Sequence, residues 1–188
     1  MFVYIIRHGE SESNKTNMWT GWWDVKLTEK GREDALRARE YLKNVKFDKV
    51  FSSDLSRAYE TATIVLPEYE IEKNEKLREF NVGTLSKNSH DITSKEEHEE
   101  AARLGFAKYG GESRLDMKKR IAGFLRDIEP LDCENVAVFS HAGWLRGMMD
   151  LVTGIDQNRN TIHCKNCTIS IYEYKKGTWK LWSWINPL

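Results

Sequence analysis

Short apolar runs, each followed by polar residues, recur along the chain and predict buried strands. Residues 2–6 are rich in strand formers and form a run too short to cross a membrane. Residues 49–52 predict a second short strand, and residues 135–140 form the clearest buried run. A weaker strand pattern covers residues 69–72. Residues 168–174 and 179–185, joined through Lys175-Lys176-Gly177, predict a closing hairpin.

Amphipathic stretches lie between these runs and predict helices. Thr28 is a suitable N-cap for a helix from about Glu29 to Leu42. Ser53 or Asp54 is a suitable N-cap for the next helix, which stops at Pro67. Residues 144–152 predict another helix. The helix that ends near Ile128 has its apolar stripe at Met117, Ile121, Phe124 and Leu125. This alternation predicts the α/β class: a three-layer α/β/α sandwich with a mostly parallel central sheet, in a single domain over residues 1–188.

The segment between residues 83 and 109 is the most polar part of the chain. Thr93 or Ser94 begins a charged helix that contains Glu96, Glu97, Glu99 and Glu100. Such a charge run is typical of a solvated helix face, and a lid over a pocket is the alternative. We expect residues of about 84–111 to form a small cap beside the sheet.

Acidic and basic residues are balanced, with 29 of each among the 188 residues. Since the chain has no net charge, no overall field favours nucleic acid or a membrane surface, and we expect neither as a partner. The first apolar run has no basic region before it, so we expect neither a signal peptide nor a transmembrane segment. Three cysteines without a secretory context favour reduced thiols and a cytoplasmic location.

Candidate chemistry lies where the predicted elements end. Arg7 and His8 follow the first strand, and His141 follows a later strand just ahead of a helix, whose first N–H groups favour an anion. Ligands of open α/β sheets bind outside the carboxyl ends of the strands. Arg57 lies near a helix start, and Glu79 follows a short weak strand. Taken alone, each has an ordinary explanation as a solvated loop residue, a surface charge or a core histidine.

Together these side chains would suit phosphoryl transfer. An arginine contacts a phosphate at two points, and a neutral imidazole is a competent nucleophile at phosphorus. A carboxylic acid can give the leaving alkoxide its proton. The residues therefore lead to the hypothesis that His8 attacks a phosphate held by Arg7.

Six blocks of sequence occur in a specific order along most of the chain. They are RHGESESN at residues 7–14, Thr20-Gly21-Trp22 continuing to Gly31, SSDLSRAYETA at 52–62, LREFNVG at 77–83, Gly111-Glu112-Ser113, and FSHAG at 139–143. In this order they resemble the histidine phosphatase superfamily, in the branch shared with cofactor-dependent phosphoglycerate mutases. The resemblance implies the α/β/α fold of that family.

The resemblance also implies a role for each matching residue. His8 is expected to become phosphohistidine, while Arg7, Arg57 and His141 stabilise the transferring phosphoryl group. Glu79 is expected to protonate the leaving oxygen and then to activate water. Residues implied to bind the phosphate are Arg7, Asn14, Gly21, Arg57, His141 and Ala142. No metal or other cofactor is implied, because arginines and histidines occupy the place of a magnesium ion.

The implied activity is a metal-independent phosphomonoesterase that acts on a small phosphorylated metabolite, as a monomer or homodimer. A phosphoglycerate mutase is the alternative, since mutases share the first half-reaction but pass the phosphoryl group to a second hydroxyl. Mutases of the family typically carry a longer middle region, which favours the phosphatase. A phosphate-binding module without turnover is a third alternative, which the intact His8, Arg57, Glu79 and His141 disfavour.

The substrate is left open at this stage. Many phosphatases of the family carry a Trp-Glu-Gly-like element after the acid block, whereas Thr84-Leu85-Ser86 stands here. α-Ribazole phosphate, phosphoserine, phosphoglycerates and sugar phosphates are all used within the branch. Trp19, Trp22 and Trp23 could stack on a ring-bearing substrate, although loop packing is the favoured explanation for at least two of them.

One Cys-x-x-Cys pair, Cys164 and Cys167, has the spacing of a metal or redox motif. The third cysteine, Cys133, is remote in sequence, and four ligands with metal spacing are not evident. Structural or surface thiols are therefore favoured. Asn166, between the two cysteines, is a candidate for a minor contribution to the site at the sheet edge.

Overall fold

A computed structural model describes residues 1–155 and 162–187 of the chain. The strands are β1 (Phe2–Arg7), β2 (Lys49–Ser52), β3 (Ile71–Lys73), β4 (Asn135–Ser140), β5 (Ile169–Lys175) and β6 (Thr178–Ile185). The helices are α1 (Glu12–Lys15), α2 (Glu29–Leu42), α3 (Ser56–Val65), α4 (Lys95–Leu104), α5 (Arg114–Ile128) and α6 (Ala142–Thr153). None of these helices combines the length and the apolar character that a membrane crossing requires.

The six strands form one sheet in the order β3-β2-β4-β1-β5-β6. β3, β2, β4 and β1 are mutually parallel, and β5 and β6 close the sheet as an antiparallel hairpin. The predicted, mostly parallel sheet is therefore confirmed. Arg7 pairs with Ser140, and Ser52 pairs with Phe139. The carboxyl ends of β1, β2 and β4 therefore meet at one edge, and the site lies there.

Alternating residues of the buried strands serve two separate hydrophobic cores. Val3, Ile5 and Val138 pack with α5 and α6 on one face of the sheet. Ile6 and Phe139 pack with α2 and α3 on the other face. The period of two residues in a strand divides the apolar side chains between the faces, which produces the three predicted layers.

Local signals explain several element boundaries. α2 and β2 have the predicted bounds, and the Thr28 hydroxyl accepts the Gly31 N–H as an N-cap. The hairpin turns at Lys176 and Gly177, both with positive φ, as two-residue hairpin turns require. The short α1 was not predicted; it begins where Asn14 accepts the Ser11 N–H.

The predicted N-cap of α3 was wrong. The helix begins at Ser56, and its N-cap is Leu55 rather than Ser53 or Asp54. Asp54 instead forms a two-point ion pair with Arg78, and Ser53 contacts His141. Both polar side chains therefore serve longer-range contacts instead of a cap.

The segment of residues 84–111, here called the cap segment, carries little regular structure. α4, capped by Ser94 as expected, is joined to single turns of 3-10 helix, and a small apolar cluster of Trp19, Val82, Leu85, Ala101 and Phe106 holds them together. At Gly83, with φ of +58°, a Cβ would lie 1.9 Å from the Tyr109 carbonyl oxygen. The close approach of these two backbones fixes the base of the cap segment.

Candidate active site

His8 stands at the end of β1 with one ring nitrogen already engaged. Its backbone N–H donates to Ser140 O at 3.0 Å, which continues the β1–β4 pairing. The ring Nδ1 lies 2.7 Å from Gly9 O, an acceptor, so Nδ1 carries the hydrogen. The lone pair is consequently on Nε2. The fold thus presents His8 in the tautomer that a nucleophile at Nε2 requires.

The environment also keeps His8 neutral. The side chain is almost fully buried. Burial, followed by the positive charges of Arg57 and Arg7, lowers the pKa of His8 well below its usual value. A protonated imidazole has no lone pair with which to attack. The same guanidinium groups that would bind a phosphate therefore also keep the nucleophile active.

Arg57 projects from the first turn of α3 and is held by backbone carbonyls. Nη1 donates to Trp23 O at 3.1 Å and Nη2 donates to Gly21 O at 2.8 Å. Gly21 has φ of +53°, and a Cβ there would lie 2.7 Å from the Val82 side chain. Burial lowers the pKa of Arg57 to about 10, which leaves the group charged at neutral pH. Gly21 therefore contributes by orienting Arg57.

Arg7 has a similar backbone anchor. Its Nη1 donates to Cys164 O, while its buried Nε has no hydrogen-bond partner within residues 1–155 and 162–187. A buried guanidinium N–H without a partner costs free energy unless a ligand accepts it. Arg7 is thus suited to receive an anion at the sheet edge.

His141 places a second imidazole beside the first. The two ring centroids are 5.1 Å apart. Its Nε2 lies 2.9 Å from Ser53 Oγ, and the buried Nδ1 is unpaired in the described structure. Burial, then Arg57, lowers the pKa of His141 well below its usual value, so this ring is also neutral.

Glu79 is fixed through both carboxylate oxygens. Oε1 accepts the Phe80 N–H at 2.9 Å, and Oε2 accepts the Gly143 N–H at 3.1 Å from the start of α6. The Trp22 indole N–H donates to Glu79 O at 2.7 Å. Arg120 of α5 donates to the backbone carbonyls of Lys76, Arg78 and Glu79. Backbone and side chain are therefore both held in place.

Asn14 and Ala142 complete the residues named from the sequence. Asn14 Oδ1 accepts from the Ser11 N–H and from the Asn166 side chain, both at 3.2 Å, so its amide NH₂ remains to donate. Ala142 is the first residue of α6. A cavity of about 290 Å³ is lined by seven of the predicted residues, Arg7, His8, Asn14, Gly21, Arg57, Glu79 and Ala142. His141 is fully buried and packs against His8.

Comparison with known proteins identifies the family. The sequence model of the histidine phosphatase superfamily (branch 1) matches residues 3–187. This chain belongs to that superfamily. A 2,3-bisphosphoglycerate-dependent phosphoglycerate mutase from Parvibaculum lavamentivorans is 35% identical over 172 residues, which cover 84% of this chain and 82% of the relative.

Solved structures of related proteins share the fold. The YhfR protein of Bacillus stearothermophilus superposes with a TM-score of 0.87 at 27% identity, covering 96% of this chain and 94% of its own. A phosphoserine phosphatase from Entamoeba histolytica superposes with a TM-score of 0.85 at 22% identity, covering 99% and 97%. The curated relatives are thus named as mutases, while structural neighbours include phosphatases. Since the chain covers 82% of a mutase relative, its length does not separate the two activities.

Several residues that line the cavity or hold its side chains were not identified from the sequence. Thr61 Oγ1 accepts the Gly9 N–H at 3.0 Å and so shapes the loop after His8. Arg120 holds the Glu79 loop, Ser53 contacts His141, and Arg146 lines the cavity. Ser53 and Thr61 lie inside the recognised block at residues 52–62, which was a usable signal. Arg120 depends on contacts between distant elements, since it reaches the Glu79 loop from α5.

Two further walls of the cavity differ in character. The apolar wall contains Met18, Trp19, Phe80, Val82 and Phe106, and the charged wall contains Arg114, Lys118, Arg146 and Asp150. The buried Trp19 stacks on His90 with ring centroids 3.9 Å apart. Trp22 instead packs under Arg78 and bonds Glu79 O. Trp22 is therefore engaged in loop packing, whereas Trp19 packs on His90 and also lines the cavity.

The Cys-x-x-Cys pair is structural. Cys164 and Cys167 are both buried free thiols, so the alternative of surface thiols is wrong for them. Burial raises the pKa of Cys164 and raises the pKa of Cys167 to about 12, so neither is a thiolate at neutral pH. No cluster of metal-ligating side chains occurs in the portion of the chain that is described. Asn166, between the two cysteines, donates to His8 O at 3.1 Å and so contacts the backbone at the end of β1.

Proposed function

We propose that this chain is a metal-independent phosphomonoesterase that hydrolyses a small phosphorylated metabolite through a phosphohistidine intermediate on His8. The observation that carries the proposal is that His8, whose Nδ1 is engaged by Gly9 O, lines one cavity together with Arg7, Arg57 and Glu79. Nucleophile, charge stabiliser and proton donor are thereby supplied by the chain itself.

The first half-reaction follows from this arrangement. His8 Nε2 attacks phosphorus while the bond from phosphorus to the ester oxygen breaks. The proton of the Glu79 carboxylic acid passes to the leaving oxygen, so an alcohol departs. Arg7 and Arg57 stabilise the negative charge of the transferring group, and the Asn14 amide and the α6 N-terminus at Ala142 add donors.

The second half-reaction returns the enzyme to its starting state. The Glu79 carboxylate takes a proton from water as the water oxygen attacks phosphorus, and the bond from phosphorus to His8 Nε2 breaks. Inorganic phosphate leaves. Glu79 is partly exposed and lines an open cavity, so water can reach the phosphohistidine. This access supports hydrolysis as the second step. We further propose that the cap segment covers the leaving group.

A phosphoglycerate mutase is the second candidate, and two observations favour it. Curated relatives at up to 36% identity are named as 2,3-bisphosphoglycerate-dependent phosphoglycerate mutases. The cavity also has a basic wall with Arg146 and Lys118, and the buried Arg146 Nε lacks a partner in the described residues. Such a wall would suit a second acidic group on the bound molecule.

The experiment that separates these candidates is metal-free turnover with chelator present, across a panel of phosphomonoesters. Each ester is assayed with and without a phosphoglycerate acceptor, and His8→Ala serves as the blank. Phosphate release that depends on His8 supports the phosphatase. Exchange between phosphoglycerates with little release would assign the mutase instead. If the intact protein binds phosphate but turns over no ester, the result would instead support a phosphate-binding module without catalysis.

A further inference from the structure

Ser53 is a buried serine that the mechanism above does not use. It follows β2 and is fully buried at the sheet edge. Its Oγ lies 2.9 Å from His141 Nε2 and accepts the Leu55 N–H at 3.3 Å. Its backbone N–H donates to Phe139 O at 2.9 Å, which ties it to β4 just before His141. Serine and histidine are therefore held together by the strand pairing.

The hydrogens of this cluster can be assigned from its contacts. A serine hydroxyl has one hydrogen, and its oxygen already accepts from Leu55. The acceptor within reach of that hydrogen is His141 Nε2. If His141 donated from Nε2 instead, the hydroxyl hydrogen would be buried without an acceptor among the described residues, at a cost of about 1–3 kcal/mol. The contacts therefore favour Ser53 as donor and Nε2 as acceptor.

A neutral imidazole has one hydrogen, so the remaining ring nitrogen must carry it. His141 Nδ1 is buried and unpaired in the described chain, in a ring packed against His8. We propose that Ser53 is a positioning residue, which holds His141 in the tautomer whose Nδ1–H donates to an oxygen of the phosphoryl group transferred to His8. This inference rests on the proposed function for its ligand, but the tautomer itself does not depend on it.

The two histidines then have the same tautomer and opposite roles. In His8 the Nδ1–H is used by Gly9 O, which leaves the Nε2 lone pair free to attack. In His141 the Nε2 lone pair is used by Ser53, which leaves the Nδ1–H free to donate. A single hydrogen-bond partner beside each ring thus separates the nucleophile from the charge stabiliser.

The chain offers a closely matched control for Ser53. Ser52 is adjacent and equally buried, but its hydroxyl donates to Ser53 O at 2.8 Å rather than to a ring. Ser52→Ala therefore removes a buried hydroxyl without removing the contact to His141. Ser53→Ala removes that contact, and Ser53→Cys restores a weak donor of similar size.

The kinetic arm measures turnover of p-nitrophenyl phosphate, whose leaving group departs without a proton, so the rate depends less on Glu79. We expect kcat of Ser53→Ala to fall about 10–100-fold relative to Ser52→Ala, with little change in KM, because one donor to the developing charge is lost. Ser53→Cys should recover part of this loss. Equal kcat in the two alanine variants would overturn the proposal.

The pH profile adds a readout that a purely structural role would not change. Without Ser53, a protonated His141 can donate from Nδ1, so kcat of Ser53→Ala relative to wild type should rise as the pH falls. The charged and titratable groups that act on His141 are Arg57, His8, Arg120 and Arg7, and all are retained in the variant. A pH-independent ratio would contradict the assignment.

The spectroscopic arm uses wild-type protein labelled with ¹⁵N-histidine, with His141→Asn to assign the ring signals. We expect the hydrogen of His141 on Nδ1 in the free protein, and observation of the Nε2–H tautomer would overturn the proposal. This measurement stands even if Ser53→Ala fails to fold. It also stands if no ester is turned over, so failure of the inference and failure of the proposed function are distinguishable.

Discussion

The two ends of the cavity are built on different principles. At the phosphoryl end, Arg7 ends β1, and His8 and His141 follow the adjacent parallel strands β1 and β4. Backbone carbonyls hold the side chains of Arg7 and His8, and the Ser53 hydroxyl contacts His141. At the cap end, His90 lies in a short turn of the cap segment and stacks on Trp19, which belongs to the loop after α1. Under the proposed function, we expect the sheet edge to determine the chemical step, and the cap segment, which lies outside the sheet, to determine which leaving groups fit.

The largest effect is expected at the phosphoryl end, from replacing His8, the proposed nucleophile. We expect His8→Ala to lose about 10⁴-fold or more in kcat, since no phosphohistidine can form. His163→Ala is the matched control, because His163 is exposed and its hydrogen bond among the described residues is made by its carbonyl, which accepts from the Trp184 indole. Steady-state phosphate release measures both variants. Activity of His8→Ala within tenfold of the control would refute the assignment.

A smaller loss of kcat is expected when the carboxylate of Glu79, the proposed general acid, is displaced. In Gly143→Ala the new Cβ would lie 2.2 Å from Glu79 Oε1, so the carboxylate must move. We expect kcat to fall about 10²-fold, with phosphoenzyme accumulating because water is no longer activated. A burst of p-nitrophenol in rapid-mixing experiments would report this accumulation.

Gly123→Ala controls for the glycine substitution itself. At Gly123, in α5, the nearest atoms to a new Cβ are 3.8 Å away, so the change should leave turnover intact. It should also raise the free energy of unfolding by about 0.5–1 kcal/mol, as alanine suits a helix interior. Equal kcat in the two alanine variants would show that the position of Glu79 is not critical.

At the cap end, substitutions should change substrate preference more than the chemical step. Phe106 is buried and packs edge-on against Trp19 and Phe80 in the apolar wall. We expect Phe106→Leu to shift the ratio of kcat/KM between a bulky and a small phosphomonoester by about tenfold, in the range that a few apolar groups contribute. The phosphorylation rate for the small ester should stay within about threefold. A uniform loss for both esters would contradict the division of the cavity.

The smallest effect concerns stability and pH. Burial lowers the pKa of His8 and of His141, so the folded protein keeps both neutral while the unfolded chain binds protons below pH of about 6.5. Each should therefore reduce the free energy of unfolding by about 1.4 kcal/mol per pH unit as the pH falls below that value. The free energy of unfolding in urea, measured at several pH values between 7.5 and 5.5, should fall less steeply with falling pH for His8→Asn than for wild type. The same pH dependence in both proteins would contradict a neutral His8.

The positions of the residues at the phosphoryl end were predictable because they follow from the burial and direction of two strands. Residues 2–6 and 135–140 are apolar enough to be buried parallel strands, so Arg7, His8 and His141 had to emerge at one sheet edge. The bounds of α2 followed from Thr28 and from the amphipathic pattern. The order of the sequence blocks then supplied the roles of Arg57 and Glu79.

Other features could not be predicted because they depend on contacts between distant residues. Ser53 was expected to cap α3, since a serine before a helix favours that role, but its partner is 88 positions away at His141. Arg120 reaches the Glu79 loop from α5, and nothing in the local sequence indicates it. The burial of Cys164 and the stacking on Trp19 likewise depend on tertiary packing.

The most direct test of the account is to trap the covalent intermediate. Gly143→Ala protein, in which dephosphorylation should be slow, is mixed with a radiolabelled phosphomonoester in chelator, quenched in alkali within a turnover, and mapped by peptide mass. The account predicts an acid-labile phosphate on His8, and none when His8→Ala is added to the variant. Label on Ser11 or Ser13, or turnover with no phosphoenzyme at any quench time, would contradict nucleophilic attack by His8.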